Sequence, residues 1–272
     1  MKSPFLKITA LLAMVVFFAS CEKEDIESTD MESAQSVVNV ESVMEDVENE
    51  VALKTSSGTS SSSTGCPSIT YANPAGTYPN TITIDYGTTG CVGANGNIRK
   101  GQIVIEVSDN YYTQGATRSV TPVNFSVNDW MIEGNRLVTN LGENSDGNLH
   151  WSVEVSNAKV TDPNGGIATW EASRVRTLVE GFGSEGIEDD VYEITGGSSG
   201  IGRRGQSFTA TITVPLVKPM NCNWIVSGVR ELTVEKNGQS KTRTLDFGAG
   251  DCDDKAMLTL PNGNQFEITI RR

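Results

Sequence analysis

The chain is poor in the residues that metal and nucleophile chemistry need. It has 272 residues but one histidine, His150, and its five cysteines, Cys21, Cys66, Cys91, Cys222 and Cys252, lie far apart. Structural zinc sites take Cys and His at close spacing, and no pair here has that spacing. A serine triad would have to use His150, and no nucleophile-elbow pattern accompanies it. His150 falls between Leu149 and Trp151, on the opposite face of the same stretch, and reads as an exposed strand histidine. Basic charge is also scarce: 21 Lys and Arg stand against 34 Asp and Glu, a net charge of −13. That balance disfavours nucleic acid as a partner. The uncharged, mostly apolar run Ile8 to Ala19 is 12 residues long. That is signal-peptide length and short of the roughly 20 residues that span a bilayer.

What is present begins at that run. Lys2 and Lys7 give it a positive start, and it ends at Phe18-Ala19-Ser20-Cys21. These residues resemble the lipobox of bacterial lipoproteins, in which the cysteine is acylated and becomes the mature N-terminus. Phe18 stands where Leu is usual and Ser20 where Gly or Ala is commoner. The resemblance implies a signal peptide over residues 1–20 and a lipid on Cys21. Several acyl chains at about 0.8 kcal/mol per buried methylene make such an attachment effectively permanent. Glu22-Lys23-Glu24-Asp25 then resembles the charged export signal of Bacteroidota surface lipoproteins. It implies the outer membrane, facing the cell exterior. A solvated acidic tether on a protein facing the periplasm is the alternative.

Residues 22–54 hold eleven acids against Lys23 and Lys54, a charge of −9. Such a block repels anionic lipid and extends away from the surface. Within it Val37, Val40, Met44, Val47 and Val51 recur at helical spacing, with acids on the other faces. Valine is a poor helix former and three turns are marginal in isolation, so residues 21–65 are expected to form a flexible or weakly helical tether. Docking of the stripe on the domain or on a partner is the alternative. Thr55 to Gly65, rich in Ser, Thr and Gly, reads as a linker.

Residues 66–272 are long enough for one domain with a sizeable core. Apolar residues alternate in Ile103/Ile105/Val107, Leu149/Trp151/Val153/Val155, Phe208/Ala210/Ile212/Val214 and Phe266/Ile268/Ile270. Turn signals separate such runs at Asp146-Gly147, Asp162 to Gly166, Asn237-Gly238 and Asn262-Gly263. Residues 149–161 and 167–179 are long runs. The expected fold is all-β, an antiparallel meander closing into a barrel or a two-layer sandwich.

Two segments repeat. Thr81-Ile82-Thr83-Ile84-Asp85-Tyr86-Gly87 precedes Cys91, and Thr242-Arg243-Thr244-Leu245-Asp246-Phe247-Gly248 precedes Cys252, with matching offsets. Once Cys21 carries lipid, four cysteines remain. The repeat selects Cys66–Cys91 and Cys222–Cys252 from the three possible pairings, in an oxidising compartment that permits them. These units, with Trp224-Ile225-Val226-Ser227-Gly228 and Cys252-Asp253-Asp254-Lys255-Ala256, resemble a group of functionally uncharacterised Bacteroidota lipoproteins. The resemblance covers 66–272 and implies fold and location, with no activity or site residues attached.

Four further features bear on chemistry. Thr195-Gly196-Gly197-Ser198-Ser199-Gly200-Ile201-Gly202 matches the cofactor loop of short-chain dehydrogenases in its letters. That loop works only between a strand and a helix N-terminus, and here Gln206 to Val214 reads as a strand. Tyr192, moreover, is the last tyrosine, so no catalytic Tyr-x-x-x-Lys follows. A glycine-rich hairpin turn is expected, with no nucleotide and no other cofactor. Glu188, Asp189, Asp190, Asp253 and Asp254 are expected in solvated loops, with calcium the weaker alternative; neither run has EF-hand spacing. Paired carboxylates could also serve a glycosidase. Among the aromatics, Trp151 is in phase with Leu149 and Val153 and reads as core. Tyr111, Tyr112 and Trp130 lie near turns and are the candidates for stacking on a sugar. The expected function is a non-catalytic binding, adhesion or structural module of the envelope, its partner an envelope protein or a glycan. The alternatives are a glycan-binding accessory or glycosidase, and a carrier of an apolar ligand.

Overall fold

The computed structural model describes residues 47, 51, 66–92, 96–184 and 186–270. Cys21 and most of the acidic segment lie outside them. The strands are β1 (Ser68–Tyr71), β2 (Asn80–Asp85), β3 (Cys91–Val92), β4 (Ile98–Val107), β5 (Thr117–Val127), β6 (Trp130–Glu143) and β7 (Leu149–Thr161). They continue with β8 (Ile167–Glu180), β9 (Val191–Ile201), β10 (Ser207–Pro219), β11 (Ser227–Lys236), β12 (Gln239–Ala249), β13 (Lys255–Thr259) and β14 (Gln265–Thr269). All pairings are antiparallel, and each strand pairs its neighbour in sequence except that β2 pairs β4, with the two-residue β3 beside β4. The result is one 14-stranded meander. The four-residue β1 and the five-residue β14 are its two ends and do not pair with each other, so the sheet is not closed into a barrel.

Hairpin chemistry explains the order. Asn237 and Gly238, with φ of 54° and 74°, make the two-residue turn that matches strand twist between β11 and β12. Between β7 and β8, Asp162 Oδ1 accepts from the backbone N–H groups of Asn164 (2.8 Å) and Gly166 (3.0 Å), and its Oδ2 pairs with Arg203 Nη1 at 2.6 Å.

Each long strand buries one side-chain face and exposes the other, as period-2 alternation requires. Cross-strand register shows how that face is built. One row runs Tyr71, Ile82, Ile105, Val120, Arg136, Val155, Ala172, Ser198, Ala210, Leu232, Arg243 across β1 to β12. Most of its members belong to one hydrophobic cluster that continues to Leu258 and Ile268 at the far end of the sheet. A smaller cluster of Val138, Trp151, Val153, Leu178 and Tyr192 occupies the other end of the same face.

Bulges account for where the simple alternation fails. Gly134, at φ 122°, lies where β6 and β7 slip register, and a Cβ there would meet Ala158 Cα at 2.7 Å. The inward set of β7 therefore steps from Val155 to Ala158 and Val160. In β10 the register shifts after Ile212 and again after Val214, so Val214 faces solvent and Leu216 and Lys218 face inward.

The glycine-rich stretch is not a hairpin turn. Thr195 to Ile201 lies inside β9, between β8 and β10, and the turn begins only at Gly202. Gly200 is needed because the backbone of Trp170 approaches it: a Cβ would meet Thr169 O at 2.1 Å. Strand β10 follows, over the stretch expected as a strand.

The acidic segment also departs from expectation at its two described positions. Val47 and Val51 are helical, 2% and 0% exposed, and members of the main cluster. Burial offsets the low helix propensity of valine at these two positions. Val37, Val40 and Met44 lie outside the described residues.

The two repeated segments fold alike. Asp85 Oδ1 accepts from Gly87 N at 2.7 Å, and Asp246 Oδ1 from Gly248 N at 2.9 Å. Asp85 is the last residue of β2 and Asp246 lies three residues before the end of β12; in both, the following aromatic (Tyr86, Phe247) is buried and the chain then runs to a bridged cysteine. The bridges are Cys66–Cys91 and Cys222–Cys252, with Cα separations of 5.7 and 5.8 Å. They close loops of 25 and 30 residues, each worth roughly 3.5 kcal/mol in the chain-entropy model.

Replacing Cys222 and Cys252 together by Ser is expected to lower unfolding free energy by about 3.5 kcal/mol in chemical denaturation. Asp162 has its pKa held below the usual range, first by the Arg203 hydrogen bond. That stabilisation is present above the unfolded value and disappears as pH falls through the folded one. Asp162→Asn keeps the turn's acceptor and removes the charge. It should cost about 1.5 kcal/mol at neutral pH and nothing at acid pH, read from paired urea melts.

Candidate functional site

Five of the six tyrosines converge on one cleft of about 400 Å³. Tyr71 ends β1, Tyr78 lies in the β1–β2 loop, Tyr111 and Tyr112 lie in the β4–β5 loop, and Tyr192 opens β9. Arg118 of β5 and Arg176 of β8 line it too, with Met220 and Ile187.

The site is built on the smaller cluster. Trp151 is 0% exposed and packs beneath the lining ring of Tyr111. Tyr111 stacks on it at 4.9 Å with the planes 10° apart, and Tyr112 meets both rings edge-on. Two donors fix the β4–β5 loop: Trp151 Nε1 and Asn140 Nδ2 both donate to the Tyr111 carbonyl, at 3.3 and 2.9 Å. Buried cations cover the remaining ring faces. The Arg118 guanidinium lies 4.7 Å from the centre of Tyr111, and that of Arg176 lies 3.6 Å from the centre of Tyr192. Tyr78 and Tyr112 keep 43% and 42% of their surface exposed, so they present rings to whatever enters.

Electrostatics are set by burial. The Tyr192 hydroxyl donates to Asp190 Oδ2 at 2.9 Å. Burial pushes the Tyr192 hydroxyl and, to a lesser degree, Tyr112 upward, so both stay neutral donors. Asp190 is itself raised, first by its own burial, against the opposing bond from Tyr192. Asp109 is the one carboxylate among the cleft's described lining residues.

Of the sugar-stacking candidates, Tyr111 and Tyr112 meet here and Trp130 does not. Trp130 starts β6, packs half-buried on the main cluster and carries Arg203 at 5.3 Å from its ring centre. The acids are not gathered. Among the described residues no group of three or more Asp, Glu, His or Cys side chains could hold a metal. Asp190 is buried against Tyr192, Asp189 accepts from Ser184 Oγ at 2.7 Å, Glu188 from Ile187 N at 3.1 Å and Asp253 from Lys255 N at 3.0 Å. Asp254 is partly exposed in the β12–β13 loop. His150 is half-buried rather than exposed, and its Nδ1–H donates to the Gly142 carbonyl at 2.9 Å, which leaves Nδ1 no lone pair for base chemistry.

Sequence reasoning missed Tyr71, Tyr78, Tyr192 and both arginines. The signal for the arginines was their phase: Arg118 alternates with Val120, and Arg176 with Leu178, on the buried face. No family model, curated protein or solved structure matches the chain.

Tyr192→Phe should leave buried Asp190 without its donor and cost about 1–3 kcal/mol in thermal or urea unfolding. Asp190→Asn keeps an acceptor and loses the buried charge. Because the folded pKa of Asp190 is raised, its charge weighs against folding increasingly as pH rises from about 3.9 through the folded value. The Asn variant should therefore gain on wild type as pH rises through that window and match it below.

Proposed function

We propose that the chain is a non-catalytic binding module, anchored through a lipid on Cys21 to the outer membrane and facing the cell exterior. Its ligand is a glycan bearing an acidic group. The observation that carries this reading is the cleft of about 400 Å³ that joins five tyrosines to Arg118 and Arg176. Exposed tyrosine rings offer flat apolar faces for sugar rings, and neutral hydroxyls donate hydrogen bonds. Buried guanidiniums match a carboxylate's geometry better than ammonium groups do. A single carboxylate among the described lining residues, Asp109, favours binding over glycoside hydrolysis, which uses a pair. A carrier of a purely apolar ligand fits less well, because the cleft is lined by two arginines and the sheet does not close around a dry interior.

Calorimetric titration of the mature chain with uronic-acid oligosaccharides, their methyl esters and neutral counterparts tests this. Saturable binding of the acidic set is expected, weakened by esterification. Tyr112→Ala should weaken it about tenfold, the equivalent of about 1.4 kcal/mol. Absence of saturable binding to every set overturns the reading.

A further inference from the structure

The cleft's inner rings are covered by the protein's own cations and its outer rings are not. Arg118 lies over Tyr111 and Arg176 over Tyr192. Among the described residues no cation lies over the ring of Tyr78 or Tyr112, the two lining tyrosines that stay exposed. Asp109 lines the same cleft and is exposed with them. Its Oδ1 accepts from Asn110 N at 2.6 Å, and among the described residues no Lys, Arg or His pairs with it.

Both loops that carry these groups are held in place. Asn110 Oδ1 accepts from Tyr112 N at 2.9 Å, so Asp109 and Tyr112 project from one short turn of the β4–β5 loop. In the β1–β2 loop, Asn80 is buried and exchanges two hydrogen bonds of 3.0 Å with the backbone of Asn73. Asn73 Nδ2 in turn donates to the Pro79 carbonyl, next to Tyr78, at 3.0 Å. Groups fixed in this way lose little freedom when a ligand arrives.

The face of an aromatic ring attracts a cation, and a carboxylate adds opposite charge and a hydrogen-bond acceptor. We propose that Tyr78, Tyr112 and Asp109 form an ammonium subsite at the rim of the cleft, so that the acidic glycan bound there also carries an amine. This rests on the cleft being the ligand site proposed above, and adds the ligand's second charge. The amine donates to Asp109 Oδ2 and lies against the exposed rings, while the acidic group reaches Arg118 and Arg176. Net charge acts in the same direction. A chain of charge −13 repels a purely anionic ligand at long range, and an amine on that ligand offsets the repulsion.

A tetrasaccharide alternating glucuronic acid with glucosamine tests this by calorimetric titration of the mature chain at about pH 6, where an amine of pKa about 8 is charged. Three forms are compared: the free amine, the N-acetylated form, and the free amine with its carboxylates reduced to alcohols. The free amine that keeps its carboxylates should bind about tenfold tighter than either of the others. Asp109→Asn keeps the acceptor for Asn110 and removes the charge. It should erase the advantage of the amine and leave binding of the N-acetylated form unchanged. Equal or tighter binding of the N-acetylated form by the wild type overturns the ammonium subsite and spares the acidic-glycan reading. An amine preference that survives undiminished in Asp109→Asn overturns it as well. A carboxyl-reduced form that binds as tightly as the first removes the acidic group from the reading and keeps the amine. If no form binds, the glycan reading fails, and choline against its uncharged isostere neohexanol decides the subsite. A choline-selective shift of the tyrosine NMR signals, lost in Asp109→Asn, upholds it; an equal or absent response overturns it.

Discussion

Cations at inward positions of a single sheet are the constraint on which this molecule depends. A sheet of 14 strands with one buried face and no second sheet over it can cover that face only by curling upon itself and filling the hollow with side chains. Filling it with Ile, Val and Leu alone would give one uninterrupted core. Here arginines replace them at intervals, Arg118 beside Val138, Arg136 beside Val155, Arg176 beside Trp151, Arg243 beside Leu232. Each such replacement brings a charge that must be matched in the interior.

The two hydrophobic clusters follow from this spacing. Val155 belongs to the larger and Val153, two residues earlier on the same face of β7, to the smaller. Arg136 opposes the first and Arg174 the second. Apolar continuity breaks where guanidiniums stand opposite it. Beyond the break the rings of Trp151, Tyr111, Tyr112 and Tyr192 contact one another and the arginines, alongside Val138, Val153 and Leu178. The cleft is thus a product of the core's own charge pattern, because aromatic faces are the apolar groups that tolerate a cation against them.

The sequence was most legible where a single residue type decides the backbone. Asn237-Gly238 and Asn262-Gly263 mark hairpins because left-handed φ leaves few other choices, and both hairpins are present. The repeated Asp-aromatic-Gly segments form the same Asp-to-Gly hydrogen bond, and the bridges fall where that repeat pairs the cysteines. Legibility failed where phase is set by distant neighbours. Val214 is in perfect alternation with Phe208 and Ala210, yet two register shifts against β11 turn it outward. Thr195 to Ile201 looks like a loop because of its glycines, but those glycines answer the close approach of β8 and β10. In the cleft, Tyr111 and Tyr112 were legible as turn aromatics. Tyr71, Tyr78 and Tyr192 were not, because only the meander brings β1, β2 and β9 to one place.

Val47 and Val51 show why local propensity and tertiary structure gave different answers for the acidic segment. Propensity weighs valine against alanine in an isolated helix, at a cost of a few tenths of a kcal/mol per residue. Fully burying one valine side chain gains about 1.5–3 kcal/mol, several times that cost. Val47 and Val51 are therefore poor helix formers in water and favourable against the main cluster. The sheet needs them for a reciprocal reason: its ends do not pair, so the hollow has to be filled by something other than a closing strand. Val47 and Val51, helical and buried in the main cluster, occupy part of it without adding an edge.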